Sequence, residues 1–146
     1  LIDKGADVTA LSRNKSTALR MAVWGGHPDT AQLLISRGAD IDAEKAGYYG
    51  ALFTAASSGY RDVVEWFLEK EVNINVCDKD GDSILVHAVE GKEIKLVQYL
   101  LRKGIRLDLE NKDGETALDC AEKNNLGEMI YVLKQAGAKP GSKIKK

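Results

Sequence analysis

Cysteine is scarce in this sequence: Cys77 and Cys120 are the only two among 146 residues. Two cysteines are too few for a disulfide framework, and their separation gives no CxxC-type metal spacing. Free thiols suit a reducing compartment, so the expected location is intracellular and cytoplasmic, with the nucleus as an alternative. An excess of charge of one sign is also missing. Twenty-one Lys and Arg against twenty-two Asp and Glu leave a formal net charge of -1, so no global positive field exists to hold a phosphate backbone. Nucleic acid is not expected as a partner. No apolar run approaches the ~18 residues of a bilayer span, and Leu1-Ile2-Asp3-Lys4 does not form a basic segment leading into an apolar one. Membrane insertion is therefore not expected. Position 1 is not Met, and the expectation is that the chain starts inside a longer protein.

The motifs of small-molecule chemistry are also thin. Gly25-Gly26 and Gly81 lie in turns without the G-x-x-x-x-G-K-[ST] or G-x-G-x-x-G spacing that cradles phosphate. Asp78, Asp80 and Asp82 alternate as in a calcium loop, but Gly81 is misplaced and Val89 stands where a bidentate Glu is needed. The only histidines are His27 and His87. His27 falls in a Gly-His turn, where a backbone hydrogen bond explains it. His87 shares a 33-residue column with Met21, Thr54 and Cys120, which reads as a packed helical site rather than as a Cys/His nucleophile and base. No catalytic residue, metal or cofactor is assigned, and the chain is not expected to be an enzyme.

What the sequence does contain is a period. Ala22, Ala55, Ala88 and Ala121 step by 33 residues, and Leu19, Leu52, Leu85 and Leu118 keep the same step three places earlier. Ala31, Val64, Val97 and Ile130 hold it nine places after the alanines, and Leu34, Phe67, Leu100 and Leu133 twelve places after. Within a unit, Thr17-Ala18-Leu19-Arg20-Met21-Ala22 is followed by Gly26-His27-Pro28, an apolar stretch through Leu33-Leu34-Ile35, and Gly38. That pattern predicts helix, tight turn, helix and stop, with Pro28 at a first helical position and Gly38 as a left-handed cap. Helices below ~12–15 residues are marginal alone in water, so neighbouring units must stabilise one another. Trp66, Phe67 and Tyr99 fall on second-helix columns and are expected in the core.

These residues resemble the ankyrin repeat. The resemblance rests on Gly38-Ala39-Asp40-Ile41-Asp42-Ala43, Asp78-Lys79-Asp80-Gly81, Asn111-Lys112-Asp113-Gly114-Glu115-Thr116-Ala117-Leu118 and Gly137-Ala138, and it covers nearly the whole chain. It implies an all-α solenoid of stacked helix-turn-helix units with protruding β-turn loops. Complete repeats are expected at 12–44, 45–77, 78–110 and 111–143, with 1–11 the end of a truncated preceding repeat and 144–146 a basic tail end. The whole stretch Lys139–Lys146 reads as a frayed end or linker. The second unit departs most: Lys45-Ala46-Gly47-Tyr48-Tyr49-Gly50 lacks the usual turn Gly and Thr, and Glu71 replaces the capping Gly. The motif His is replaced by Arg20, Phe53, Val86 and Asp119. Lys92 and Asn125 stand where Gly would link the helices, with loop shifts expected there.

The resemblance also implies a use. In ankyrin arrays, turn tips and exposed first-helix ends form a concave surface along which another protein or a peptide segment lies. The matching positions are Arg13, Asn14, Ser16 and Trp24 in the first unit and Ala46, Gly47, Tyr49, Ser57 and Ser58 in the second, with Tyr48 beside them. The third supplies Lys79, Asp80, Asp82 and Glu90, and the fourth Lys112, Asp113, Glu115, Lys123 and Asn124. Trp24, Tyr48, Tyr49 and Arg13 are the expected anchors, since Trp, Tyr and Arg combine large contact area with polar handles. The acidic Asp80, Asp82 and Glu90 are expected to select a basic stretch. Asn75 occupies a position at which asparaginyl hydroxylation is known in ankyrin arrays, with Asp42 and Asp108 matching it elsewhere. The alternatives are a targeting or regulatory segment of a larger enzyme, channel or signalling receptor, and a structural spacer. As a fragment the chain is expected to be monomeric.

Overall fold

The computed structural model describes residues 17–39 and 49–143, together with Gly5, Asp7 and Ala10. Among the described residues the regular structure is helical, with no strand: α1 (Ala18–Trp24), α2 (Pro28–Ser36), α3 (Gly50–Ser57), α4 (Arg61–Glu69), α5 (Ile84–Glu90), α6 (Ile94–Arg102), α7 (Ala117–Lys123) and α8 (Gly127–Gln135). Each is seven to nine residues long, too short to persist in isolation. Apolar burial holds them. The leucine column and the alanine column are buried throughout, as are Leu34, Phe67, Leu100 and Leu133, while Ile130 is only half-buried. Trp66, Phe67 and Tyr99 are core residues, as the sequence indicated.

The chain forms two compact units. Unit 1 comprises Leu1–Ala55 and Tyr60–Val72, and unit 2 comprises Ala56–Gly59 and Asn73–Lys146. In unit 1, α1 packs on α2 and α2 on α4. In unit 2, α5 packs on α6 and on α7, α7 on α8, and α6 on α8.

Every helix ends in the same way. Two amides just past the end turn back, one to the carbonyl of the penultimate helical residue and the next to that of the residue before it. Examples are Gly38 N–H to Ile35 O (3.0 Å) with Ala39 N–H to Leu34 O (3.0 Å), and Lys92 N–H to Val89 O (2.9 Å) with Glu93 N–H to Ala88 O (2.9 Å). This Schellman arrangement needs one left-handed residue. After the first helices those residues are Gly26 (φ 75), Gly59 (φ 71), Lys92 (φ 61) and Asn125 (φ 55). After the second helices they are Gly38 (φ 85), Glu71 (φ 62), Gly104 (φ 77) and Gly137 (φ 93). The loop shifts expected at Lys92 and Asn125 do not occur. The buried helices on either side fix the connection, and the non-glycine residue takes the left-handed conformation despite its Cβ. Glu71 does the same.

The helix starts vary more. Thr17 caps α1 by accepting from Arg20 N–H (2.9 Å), and Ser83 caps α5 by accepting from Val86 N–H (3.3 Å). At α7 the Asp119 carboxylate reaches back to Thr116 N–H (2.9 Å). The equivalent position at α3 is Gly50, which has no side chain to cap with, and it follows Tyr49 at φ 54. The irregular turn read from the second unit is therefore real at Tyr49. Tyr48 lies outside the described residues.

Residues 139–143 correct the reading of a frayed end. They fold back along unit 2: Lys143 N–H donates to Gly114 O (2.8 Å), and Gly141 N–H donates to the buried Asp119 carboxylate (2.6 Å). Matched polar groups, rather than apolar burial, hold this segment.

Candidate partner-binding surface

Helix α1 turns Leu19, Ala22 and Val23 inward and leaves two large apolar side chains outside. Trp24 is 77% exposed and Met21 is 55% exposed. They are three residues apart on one helix and so share a face. At that exposure Trp24 does not pack into its own helix pair. The packed column expected for Met21 holds only in the other repeats: Cys120 is buried and Thr54 and His87 are half-buried, whereas Met21 faces outward. Its distance from the buried edge of α1 was hidden by a column of otherwise enclosed residues.

Tyr49 is half-buried, and its ring stands edge-on to Phe67 with centroids 6.3 Å apart. It belongs partly to the core of unit 1. Ser57 is half-buried and Ser58 exposed at the end of α3. Arg13, Asn14, Ser16, Ala46, Gly47 and Tyr48 lie outside the described residues.

In unit 2 the proposed positions sit on two turns built alike. Asp78 Oδ1 accepts from the N–H groups of Asp80 (2.8 Å) and Asp82 (3.0 Å), and Asn111 Oδ1 accepts from those of Asp113 (3.0 Å) and Glu115 (3.0 Å). Such side chains mimic a backbone turn. Lys112 N–H donates to Asp80 O (3.0 Å), and Asn111 Nδ2 donates to Asp82 Oδ1 (2.8 Å), joining one turn to the other. Gly81 must be glycine here. Its φ is 86, and a Cβ would press on the Asn111 Cα at 3.0 Å.

The exposed charges of these turns are paired with each other. Lys79 lies 4.0 Å and Lys112 3.9 Å from the Asp80 carboxylate, and Lys123 lies 3.3 Å from Glu115. Glu90 and Asp113 are exposed, and Asn124 Nδ2 is spent on Cys120 O (2.8 Å). Asp80 and Asp82 thus face lysine and asparagine partners within the same turns, which removes much of the acidic character read from the sequence.

The groups a catalytic reading would use are engaged elsewhere. His87 Nε2 sits 2.8 Å from Asp78 Oδ2, on its own unit's turn, rather than on Cys120. Partial burial works against the Asp78 charge, but the His87 bond and the Asp80 and Asp82 amides outweigh it and hold the carboxyl below its usual range. Burial, then Glu115, Glu90 and Asp82, push the Cys120 thiol up to about 12. Burial and the carboxylates of Asp78 and Asp82 raise Cys77. Thiols so perturbed stay protonated and poorly nucleophilic at neutral pH.

Asn75 is half-buried, and its Oδ1 accepts from Arg106 N–H (2.8 Å), while Arg106 Nε and Nη2 pair with Asp108 (3.0 Å each). Asp42, the other matching position, lies outside the described residues. No helix among the described residues is long and apolar enough to cross a membrane.

Two family models match the chain. Residues 52–144 match one described as ankyrin repeats in three copies, and residues 1–35 match another described as ankyrin repeats in many copies. No curated protein matches it significantly.

Proposed function

Because the chain belongs to the ankyrin-repeat family, whose repeats stack as an all-α solenoid and generally serve as protein–protein interaction modules, we propose that it captures a partner protein or peptide segment on the concave face of its repeats. The observation that carries this reading is the exposed Trp24–Met21 pair on α1. A tryptophan left this open contributes little to folding, and tryptophan is among the commonest binding hot spots. In unit 1 the anchors are Trp24 and Met21; the reading also keeps the repeat positions Arg13, Asn14, Ser16, Tyr48, Tyr49, Ser57 and Ser58. Unit 2 offers a polar surface of Lys79, Asp80, Asp82, Glu90, Lys112, Asp113, Glu115, Lys123 and Asn124. Paired charges there favour orientation of a polar segment over strong attraction of a basic one. The free thiols of Cys77 and Cys120 support a cytoplasmic setting, and the chain is proposed to be a monomer.

The test is a capture experiment with Trp24→Ala combined with Met21→Ser, which removes the apolar pair and leaves the buried face of α1 intact. Partner capture falls sharply while the thermal midpoint stays unchanged. Undiminished capture overturns the assignment of this face. We further propose Asn75 as a hydroxylation position on its place in the repeat alone; native protein whose Asn75 carries no added oxygen by mass spectrometry would remove it.

A further inference from the structure

Asp119 is 2% exposed, a carboxylate taken out of water at the start of α7. A buried charge is costly unless donors surround it. Its Oδ2 accepts from Thr116 N–H (2.9 Å), Thr116 Oγ1 (2.9 Å) and Gly141 N–H (2.6 Å), and Lys143 Nζ stands 3.0 Å from Oδ1. Half of this shell comes from residues beyond the last helix.

Those residues are matched donor by donor. Glu110 receives Ser142 twice, N–H on Oε1 (2.8 Å) and Oγ–H on Oε2 (2.6 Å). Lys143 N–H goes to Gly114 O (2.8 Å), and Thr116 Oγ1, whose single proton is shared between Asp119 Oδ2 and Lys139 O, lies 3.0 Å from Lys139 O. Pro140 has no N–H to satisfy. A Cβ at position 141 would overlap the Gly114 carbonyl, so the slot admits only glycine there. Serine is specified by two donors on one carboxylate, and lysine by its charge beside a buried one.

We propose that the slot formed by Glu110, Gly114, Thr116 and Asp119 is a recognition site for Pro-Gly-Ser-Lys peptide segments, occupied in cis by residues 140–143. The occupant seen in place defines the ligand chemistry: glycine, then a serine with both donors free, then a cation. Tethering gives the chain's own segment an effective concentration of about mM, so a segment of another protein with this chemistry binds once the tail has left. The slot shares no residue with the surface proposed above and stands or falls separately from it.

The test uses the full chain carrying Gly141→Ala, which drives the tail out by steric overlap. It is titrated by NMR with the end-blocked peptide Lys-Pro-Gly-Ser-Lys. The peptide shifts the Gly114 and Thr116 amides of this variant and not those of the wild type. Adding Glu110→Gln, a change at an exposed side chain, weakens binding about tenfold, as expected for hydrogen bonds to a charged acceptor. The peptide Lys-Pro-Ala-Ser-Lys does not bind. Equal binding of the glycine and alanine peptides, or no binding to the folded variant, overturns the proposal. If Gly141→Ala fails to fold, amide exchange in the wild type decides: Gly141 and Lys143 are protected, and Glu110→Gln accelerates Lys143. Unprotected amides there overturn the proposal equally.

Discussion

The two units use the same helices and the same helix endings but finish their surfaces in opposite ways. Unit 1 leaves Trp24 and Met21 exposed on α1 and has Gly50, with no side chain, at the helix start that Thr17, Ser83 and Thr116 occupy in the other repeats. Unit 2 caps its helix starts with Ser83 and with the Thr116–Asp119 pair, joins its turns through Asn111 and Lys112, and covers Asp119 with residues 139–143. One 33-residue scaffold therefore carries both an exposed apolar pair in unit 1 and polar, interlinked turns in unit 2. The backbone pattern is set by the buried columns, and the outward residues are left to vary.

This comparison breaks most readily in the core. Leu19→Ala in unit 1 and Leu85→Ala in unit 2 each cost about 2–5 kcal/mol through cavity formation, and urea unfolding of both variants shifts to lower midpoints. Trp24 and Trp66 both belong to unit 1, so fluorescence reports that unit while circular dichroism reports all the helices. An unchanged midpoint for either variant would mean its leucine is not a shared core position.

Acid probes unit 2 next. Burial opposes the Asp119 charge, but the donors from Gly141, Thr116 and Lys143 outweigh it and hold its pKa at about 2, below its ordinary 3.8. A carboxyl with a lowered folded-state value stabilises fully above about pH 4 and loses that contribution as the pH falls toward 2. The loss is about 2 kcal/mol. Lys143, facing this carboxylate with Glu115 and Glu122 in range, stays charged throughout. Asp119→Asn flattens the pH dependence of the thermal midpoint over that window; an unaltered acid profile would place the titration elsewhere.

Smaller effects sharpen the contrast in finishing. Ser83→Ala removes a buried cap and lowers stability by about 1 kcal/mol, measured by urea denaturation. Glu71→Gly in unit 1 relieves a left-handed residue and raises stability by about 0.5–1 kcal/mol. Lys112→Ala changes the midpoint by less than about 0.5 kcal/mol, because the exposed pair with Asp80 is screened by water.

Much of the fold was legible because burial repeats. The leucine and alanine columns, Pro28 opening α2 and Gly38 closing it all followed from spacing and from the conformational needs of one residue type. Lys92 and Asn125 were misjudged because residue identity was taken to set the loop, whereas the packed helices on either side impose the left-handed turn. The candidate surface was only partly legible. Trp24 was named, but Met21 was hidden in a column whose other members are enclosed, and the pairing of Asp80 with Lys79 and Lys112 depends on turn-to-turn distances. The bonding of Gly141, Ser142 and Lys143 to Asp119 and Glu110 follows no period at all. Its one sequence signal was a carboxylate at position 119, in place of the motif histidine.

The folded-back segment also decides how the molecule meets mechanical load. Tension applied beyond Lys143 is borne first by the contacts of Lys143 with Gly114 and Asp119, of Ser142 with Glu110 and of Gly141 with Asp119. These short polar links must part before the pull is transmitted to α8. Leu133, buried in α8, is thereby shielded from the first extension, and a cargo fused at this end would hang from Asp119 and Glu110 rather than from the hydrophobic core.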